Sequence, residues 1–426
     1  MSQVSAKESS SPATRSQAEL RRGMVFISIG LIATTLGTVT SIGELPLTNV
    51  LMNHLGCNAE QVARFFWLMT VPWACKPLAG LLSDSIPLYG TRRRHYILLA
   101  SAVAAGLWLV LAWVSASYWI MLGAAMLLYA SFMLCSTVIG ALIVEEGRRS
   151  AATGRLTSLR SVIINISFLV GGPASGFLAT RFGPTGGLRL AAGLGALIFL
   201  ALWMSSYLFL KEKRIPSVPV GQSIRNAGHN LFGLGKHPTL WVAVGFISLV
   251  LAIPSFATLI TFKQRNELGF SFEQIGYLRL IFGSAGMLGA IIFRGMCGRL
   301  PLRRTLTVGL VIFSLSNIAY FFYNSMMAAF YIEALNGLVL TLLQAPLFDL
   351  AARSTPKGSE ALGYGLLMAV WSNVQQFAPW FGAALNHHFN VTIGGLIWIN
   401  VVVTMALVAL VPLMPRFIMD RREGEH

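Results

Sequence analysis

The sequence predicts an all-α integral membrane protein: twelve transmembrane helices arranged as two pseudo-symmetric six-helix bundles. Three observations predict it. The 426-residue chain is 55% hydrophobic and only 11% charged, with mean hydropathy +0.67, whereas soluble domains carry about 25% charged residues. Apolar runs near the length of a bilayer core recur along the whole chain, with basic residues gathered in alternate loops. Short motifs in the first half return in the second half in register.

In chain order, residues 1–20 are Ser-rich and polar and read as a disordered cytoplasmic tail. The N-terminal bundle, 21–210, holds spans at about 24–52, 59–82, 95–114, 118–144, 155–180 and 188–210. The first run is too long for a signal-peptide core and lacks a small-residue cleavage site, so it stays as a span. Residues 211–237 contain Pro216, Pro219 and Gly221 with net positive charge and form a cytoplasmic linker. The C-terminal bundle, 238–415, holds spans at about 238–262, 272–298, 304–324, 327–350, 360–386 and 391–415, and 416–426 is a second cytoplasmic tail.

The net charge of +16 suggests nucleic acid at first sight. Its distribution argues otherwise. Alternate segments hold Arg21, Arg22, Arg92, Arg93, Arg94, Arg148, Arg149, Lys211, Lys213, Arg303, Arg304, Arg353 and Arg416, whereas the intervening ones hold only Arg181, Arg189, Lys263 and Arg265. That asymmetry is the positive-inside rule, and it predicts both termini in the cytoplasm and no nucleic-acid partner.

The duplication rests on three echoes. Asn53-His54-Leu55-Gly56-Cys57-Asn58-Ala59-Glu60-Gln61 matches Asn266-Glu267-Leu268-Gly269-Phe270-Ser271-Phe272-Glu273-Gln274, with Asn58 and Ser271 as helix N-caps. Glu145 with Arg149 matches Asp349 with Arg353, and Asn165 matches Asn373. Duplicated halves in a membrane protein point to alternating access around a site near the midplane.

Ionisable groups inside spans cost about 2.5–3.5 kcal/mol on insertion scales, so each needs a reason. Glu44 and Arg64 lie in the outer parts of spans one and two, at a depth where antiparallel neighbours can pair. Arg279 in span eight and Glu333 in span ten offer the same combination. As cavity groups, the arginines attract an anionic substrate and a carboxylate binds a proton. As structural groups, they form salt bridges that lock the outer ends. Asn165, Asn336, Asn373 and Gln376 sit in apolar helices, where polar side chains ordinarily bond between helices. The symmetric Asn165 and Asn373 are candidate substrate contacts. Trp371 and Trp380 either stack on a flat ring or pack.

At the cytoplasmic ends, Lys76, Gly80, Asp84, Arg92, Arg93, Glu145, Arg149, Asp349 and Arg353 form a candidate gate, held by ion pairs that part on opening. Lys76 snorkels to the interface or pairs with Asp84 or Glu145. The alternative is an ordinary positive anchor.

Gly80-xxx-Asp84 followed by Arg92 and Arg93 resembles the loop motif of the major facilitator superfamily, and two six-helix halves are its layout. Gly171-Gly172-Pro173-Ala174-Ser175-Gly176 resembles part of its antiporter motif. A more specific resemblance, covering most of the chain, is to the folate–biopterin transporter family. It rests on Pro72-Trp73, Lys76-Pro77, Gly80, Ser83-Asp84, Pro87, Gly90, Arg92-Arg93-Arg94 and Tyr96. It returns at Pro254-Ser255, Leu268-Gly269-Phe270-Ser271, Pro346-Leu347, Ala351-Ala352-Arg353 and Asn373. In the fourth span, Cys135-Ser136-Thr137-Val138-Ile139-Gly140 stands where that family's pattern has acidic residues.

The resemblance implies a secondary transporter of a small organic solute, a folate- or pterin-like anion with proton coupling, in a bacterial inner membrane as a monomer. A generic proton-coupled exporter or sugar-type carrier is the alternative in the same class, and a polytopic membrane enzyme the alternative in another. No Gly-Lys-Ser/Thr phosphate loop is present, so ATP is not the expected energy source. No cofactor is expected, and no metal: adjacent His387 and His388 do not face one ion from a regular helix.

Overall fold

The computed structural model describes residues 12–85, 88–91, 93–114, 117–149, 153–210, 212, 235, 237–297, 299–355, 360–415 and 419–420. These residues form helices joined by short turns, with one isolated bridge between Leu88 and Thr91. The N-terminal half comprises α1 (Pro12–Thr35), α2 (Glu44–Asn49), α3 (Ala59–Thr70), α4 (Lys76–Ser85), α5 (Arg94–Trp113), α6 (Tyr118–Arg149), α7 (Thr153–Arg181) and α8 (Gly183–Phe209). The C-terminal half comprises α9 (Pro238–Leu251), α10 (Ala257–Asn266), α11 (Phe272–Cys297), α12 (Leu302–Ser316), α13 (Met326–Arg353), α14 (Glu360–Phe389) and α15 (Ile393–Val408). Helix α1 begins at Pro12, inside the stretch read as a tail, with proline at a helix start, where its missing N–H costs nothing.

Among the described residues, eight helical segments are long and apolar enough to cross a membrane. The other four expected spans are helical but are not single apolar rods. Span one breaks between Thr35 and Glu44, and span seven between Leu251 and Ala257. Span two tightens to a 3₁₀ turn over Val71–Cys75, where Pro72 lacks an N–H. Span eleven is the continuous but polar α14.

The two breaks correspond. The offset that carries Asn53 onto Asn266 also carries Glu44, first residue of α2, onto Ala257, first residue of α10. Neighbouring helices satisfy the freed backbone groups, as a membrane interior demands. The Ser255 amide donates to Ala378 O at 2.9 Å, and Asn400 Nδ2 donates to Pro254 O. In the first half, the fully buried Trp108 donates its indole N–H to Gly37 O at 3.0 Å, inside the break.

The echoed turns also agree in geometry. Gly56 (φ 64°) and Gly269 (φ 69°) both take the left-handed conformation that glycine adopts without strain. Asn58 and Gln61 form a capping box, and Ser271 and Gln274 form its counterpart. Asn58→Ala should therefore destabilise the fold by about 1 kcal/mol, seen as a lower melting temperature of the purified protein.

The halves meet through α7 and α11. Gly172 and Gly176 face Gly276 so closely that a Cβ on Gly276 would lie 2.6 Å from Gly172 O. Small residues let membrane helices approach to backbone contact. A second seam joins α3 to α14. Large apolar side chains such as Leu127, Leu197, Ile291, Phe322 and Val402 point outward, as expected of a lipid-facing surface.

Candidate functional site

Glu44 opens α2 directly after the break in span one. The Leu45 amide donates to Ser175 Oγ at 2.9 Å and Asn49 Nδ2 to Ala179 O at 2.9 Å, which ties α2 to α7. On the other side of the seam, the stem of Arg279 lies over Gly172, where a Cβ would sit 3.1 Å from that of Arg279. The side chains then meet between the halves, with Arg279 Nη1 2.5 Å from Glu44 Oε2 and about a third of each side chain exposed. Glu333 stands within electrostatic reach of the same guanidinium. Its Oε1 accepts from the Tyr323 hydroxyl at 3.1 Å, and that hydroxyl accepts from Gln264 Nε2. Tyr129 feels the charge of Glu44 from α6.

This arrangement corrects the expected pairings. Glu44 pairs with Arg279 rather than Arg64, because the break turns its carboxylate to the seam. Arg279 pairs with Glu44 rather than Glu333. Arg64 instead lies 3.8 Å from Glu60, one turn away on α3, and near the rings of Tyr118 and Trp119 (centroids at 5.9 and 5.8 Å). It lines a separate cavity of about 300 Å³ with Leu55, Gly56, Cys57, Gln61, Tyr118 and Trp119. Burial pushes the Cys57 thiol up, with the Arg64 charge opposing. That thiol therefore stays protonated at neutral pH.

The uncharged candidates disperse. Asn336 is buried with Nδ2 lacking a partner. Asn373 bonds back to Ala369 O on its own helix at 2.8 Å, Asn165 is exposed, and Gln376 is half-buried. Both tryptophans pack: Trp371 stacks on Phe348 at 4.1 Å, and Trp380 on Trp67 at 4.6 Å. Trp380 also donates to Glu60 Oε1 at 3.1 Å, which joins α14 to α3 across the seam. Sequence reading missed Gln264 and Tyr323, whose types are ordinary at helix ends. It also passed over Glu60 as a partner of Arg64, although the spacing of four was visible.

At the end from which the linker leaves, the turn before α5 carries Tyr89 (φ 49°) and Gly90 (φ 80°) in left-handed conformations. Arg93 is buried. Its Nη1 donates to Ser83 Oγ at 2.8 Å, while the amides of Arg93 and Arg94 donate to Glu212 Oε2 at 3.0 and 3.1 Å. Glu212, far away in sequence, thus caps the positive end of α5. Lys76 donates to Ser136 Oγ at 3.0 Å and lies 4.5 Å from the Trp73 ring centroid. Gly80 packs under Thr137, where a Cβ would sit 3.6 Å from the methyl carbon. Asp349 and Arg353 pair at 2.8 Å along α13. Arg92 and the side chains of Asp84, Glu145 and Arg149 lie outside the described residues.

A family model described as the BT1 family matches residues 37–424. A folate-biopterin transporter of Synechocystis sp. is 27% identical over 87% of this chain and 75% of its own length. Folate transporter 2 of Plasmodium falciparum is 26% identical over 78% and 74%. The solved D-xylose-proton symporter superposes with a TM-score of 0.70 at 13% identity, over 94% of this chain and 99% of its own. The nucleoside transporter NupG gives 0.64 at 14% identity, over 94% and 98%.

Proposed function

The chain belongs to the BT1 family, a multi-pass membrane transporter of the major facilitator fold rather than an enzyme, and on that premise we propose that it carries a folate- or pterin-like anion by proton-coupled alternating access. The observation that supports this reading is the Glu44–Arg279 pair, which spans the two halves beside a broken helix. Broken spans and intramembrane charge mark substrate sites in carriers.

In this reading, Arg279 is the anion site. A substrate carboxylate takes the guanidinium, and the displaced Glu44 takes a proton. Glu333, within electrostatic reach of the same guanidinium, is a second proton site. Arg64, Asn165, Asn336, Asn373 and Gln376 are substrate contacts of a later step, when the halves have moved.

The protein works as a monomer in a bacterial inner membrane, with both tails and the linker in the cytoplasm. Lys76, Gly80, Asp84, Arg92, Arg93, Glu145, Arg149, Asp349 and Arg353 gate the cytoplasmic end. The α7–α11 and α3–α14 seams close the opposite, far end.

The test is uptake into reconstituted vesicles under an imposed pH gradient, with labelled folate, biopterin, sugars and amino acids. Gradient-driven accumulation of folate or biopterin is expected, with the gradient dependence lost in Glu44→Gln. Sugar uptake without either pterin would move the reading to the sugar-carrier alternative. Pterin uptake with unchanged gradient dependence in both Glu44→Gln and Glu333→Gln would remove proton coupling through these groups.

A further inference from the structure

We propose that Glu60, His387 and His388 form a transition-metal site, of the kind Zn²⁺ occupies, that fastens the two halves together at the far end. A carboxylate oxygen of Glu60 and one ring nitrogen of each histidine lie within 4.8 Å of one another. In an assembled tetrahedral site with metal–ligand bonds of about 2.0–2.1 Å, donors stand about 3.4 Å apart. The remaining closure is small, and rotation of the two exposed imidazoles supplies it. Two imidazoles and a carboxylate are ordinary Zn²⁺ ligands and leave a fourth position for water.

The sequence argued against this site, because neighbours on a helix point about 100° apart. Both histidines lie in the last turn of α14, and their rings turn toward each other. The helix stops at Phe389, Asn390 is left-handed (φ 53°), and Asn386 Nδ2 donates to Val391 O at 2.8 Å. In that last turn the two imidazoles meet edge to face, with centroids 4.8 Å apart.

Glu60 comes from the other half and is buried. Trp380 donates to its Oε1, which orients the carboxylate as outer-sphere partners orient metal ligands. Arg64, 3.8 Å from Oε1, is the opposing charge, and it lies near Tyr118 and Trp119. A metal bound here links α3 to α14 and holds the far end shut. That consequence rests on the alternating-access reading; the binding does not.

The experiment titrates the purified full-length chain with ZnCl₂, following heat and melting temperature. One saturable site and a raised melting temperature are expected. Affinity should fall at least tenfold in each of His387→Ala, His388→Ala and Glu60→Gln. The histidines are exposed, and the Glu60→Gln change keeps an acceptor for Trp380, so folding is retained. Absence of saturable binding, or binding indifferent to all three changes, overturns the site. Loss in the histidine variants with full affinity in Glu60→Gln overturns the link between halves. In vesicles, Zn²⁺ at the far face should slow wild-type uptake at least tenfold, and His387→Ala should be slowed far less relative to its own metal-free rate. Full-speed uptake with zinc bound overturns the lock. A protein that binds zinc but carries nothing without it counts against the transport reading alone.

Discussion

Arg279→Ala should slow pterin uptake about 10- to 100-fold, with normal amounts of folded protein in the membrane. Removing one member of a hydrogen-bonded charge pair costs about 2–5 kcal/mol when the pair is desolvated. This pair is about one-third exposed, so solvent reduces the cost to about 1.4–2.8 kcal/mol, equivalent to that slowing at about 1.4 kcal/mol per decade. The double variant Glu44→Gln/Arg279→Gln separates two roles. If the pair only latches the halves, removing both charges restores uptake, because nothing unpaired remains. If Arg279 holds substrate and Glu44 a proton, the double variant is as slow as Arg279→Ala. Wild-type uptake in Arg279→Ala would exclude Arg279 as the anion site.

Gly176→Val should weaken closure of the far end. A Cβ there would meet Phe272 O at 2.5 Å, Glu273 Cα at 3.0 Å and Gly276 Cα at 3.2 Å. These are backbone atoms, so α7 and α11 must separate rather than a side chain turn aside. Overpacking of this kind costs about 1–3 kcal/mol, a shift of about 5- to 150-fold in the balance between closed and open far ends. Uptake should fall. An impermeant maleimide should also label Ser175→Cys faster, since Ser175, beside Gly176 on α7, is fully buried. Gly193→Val is the control, because a Cβ on Gly193 would meet nothing within 4 Å. Unchanged uptake and labelling in Gly176→Val would show that the seam does not govern closure.

Several features were legible because they are local. The echoed Asn58 and Ser271 caps needed only a residue type three positions before a glutamine, and both caps form. The glycines of α7 were visible as a closely packing segment, although nothing in the chain pointed to their partner. Glu44 and Arg279 stood out as charges in apolar runs. Their pairing did not, because it depends on how the break in span one turns a helix relative to another half. Glu212 beneath Arg93 was equally hidden, since more than a hundred residues separate an acid in a polar linker from the amides it caps.

Membrane character, duplicated halves and the short list of groups able to bind an anion or a proton therefore follow from the chain as written. Hydropathy, charge asymmetry and repeat spacing are all carried by residue order. Folding in three dimensions settles which charges meet, that the first span of each half is broken at matching positions, and that His387 and His388 converge with Glu60. Partnership between side chains depends on the rotation of packed helices about their axes. A hydrophobic run does not encode that rotation; backbone contacts such as Gly172 against Gly276 fix it.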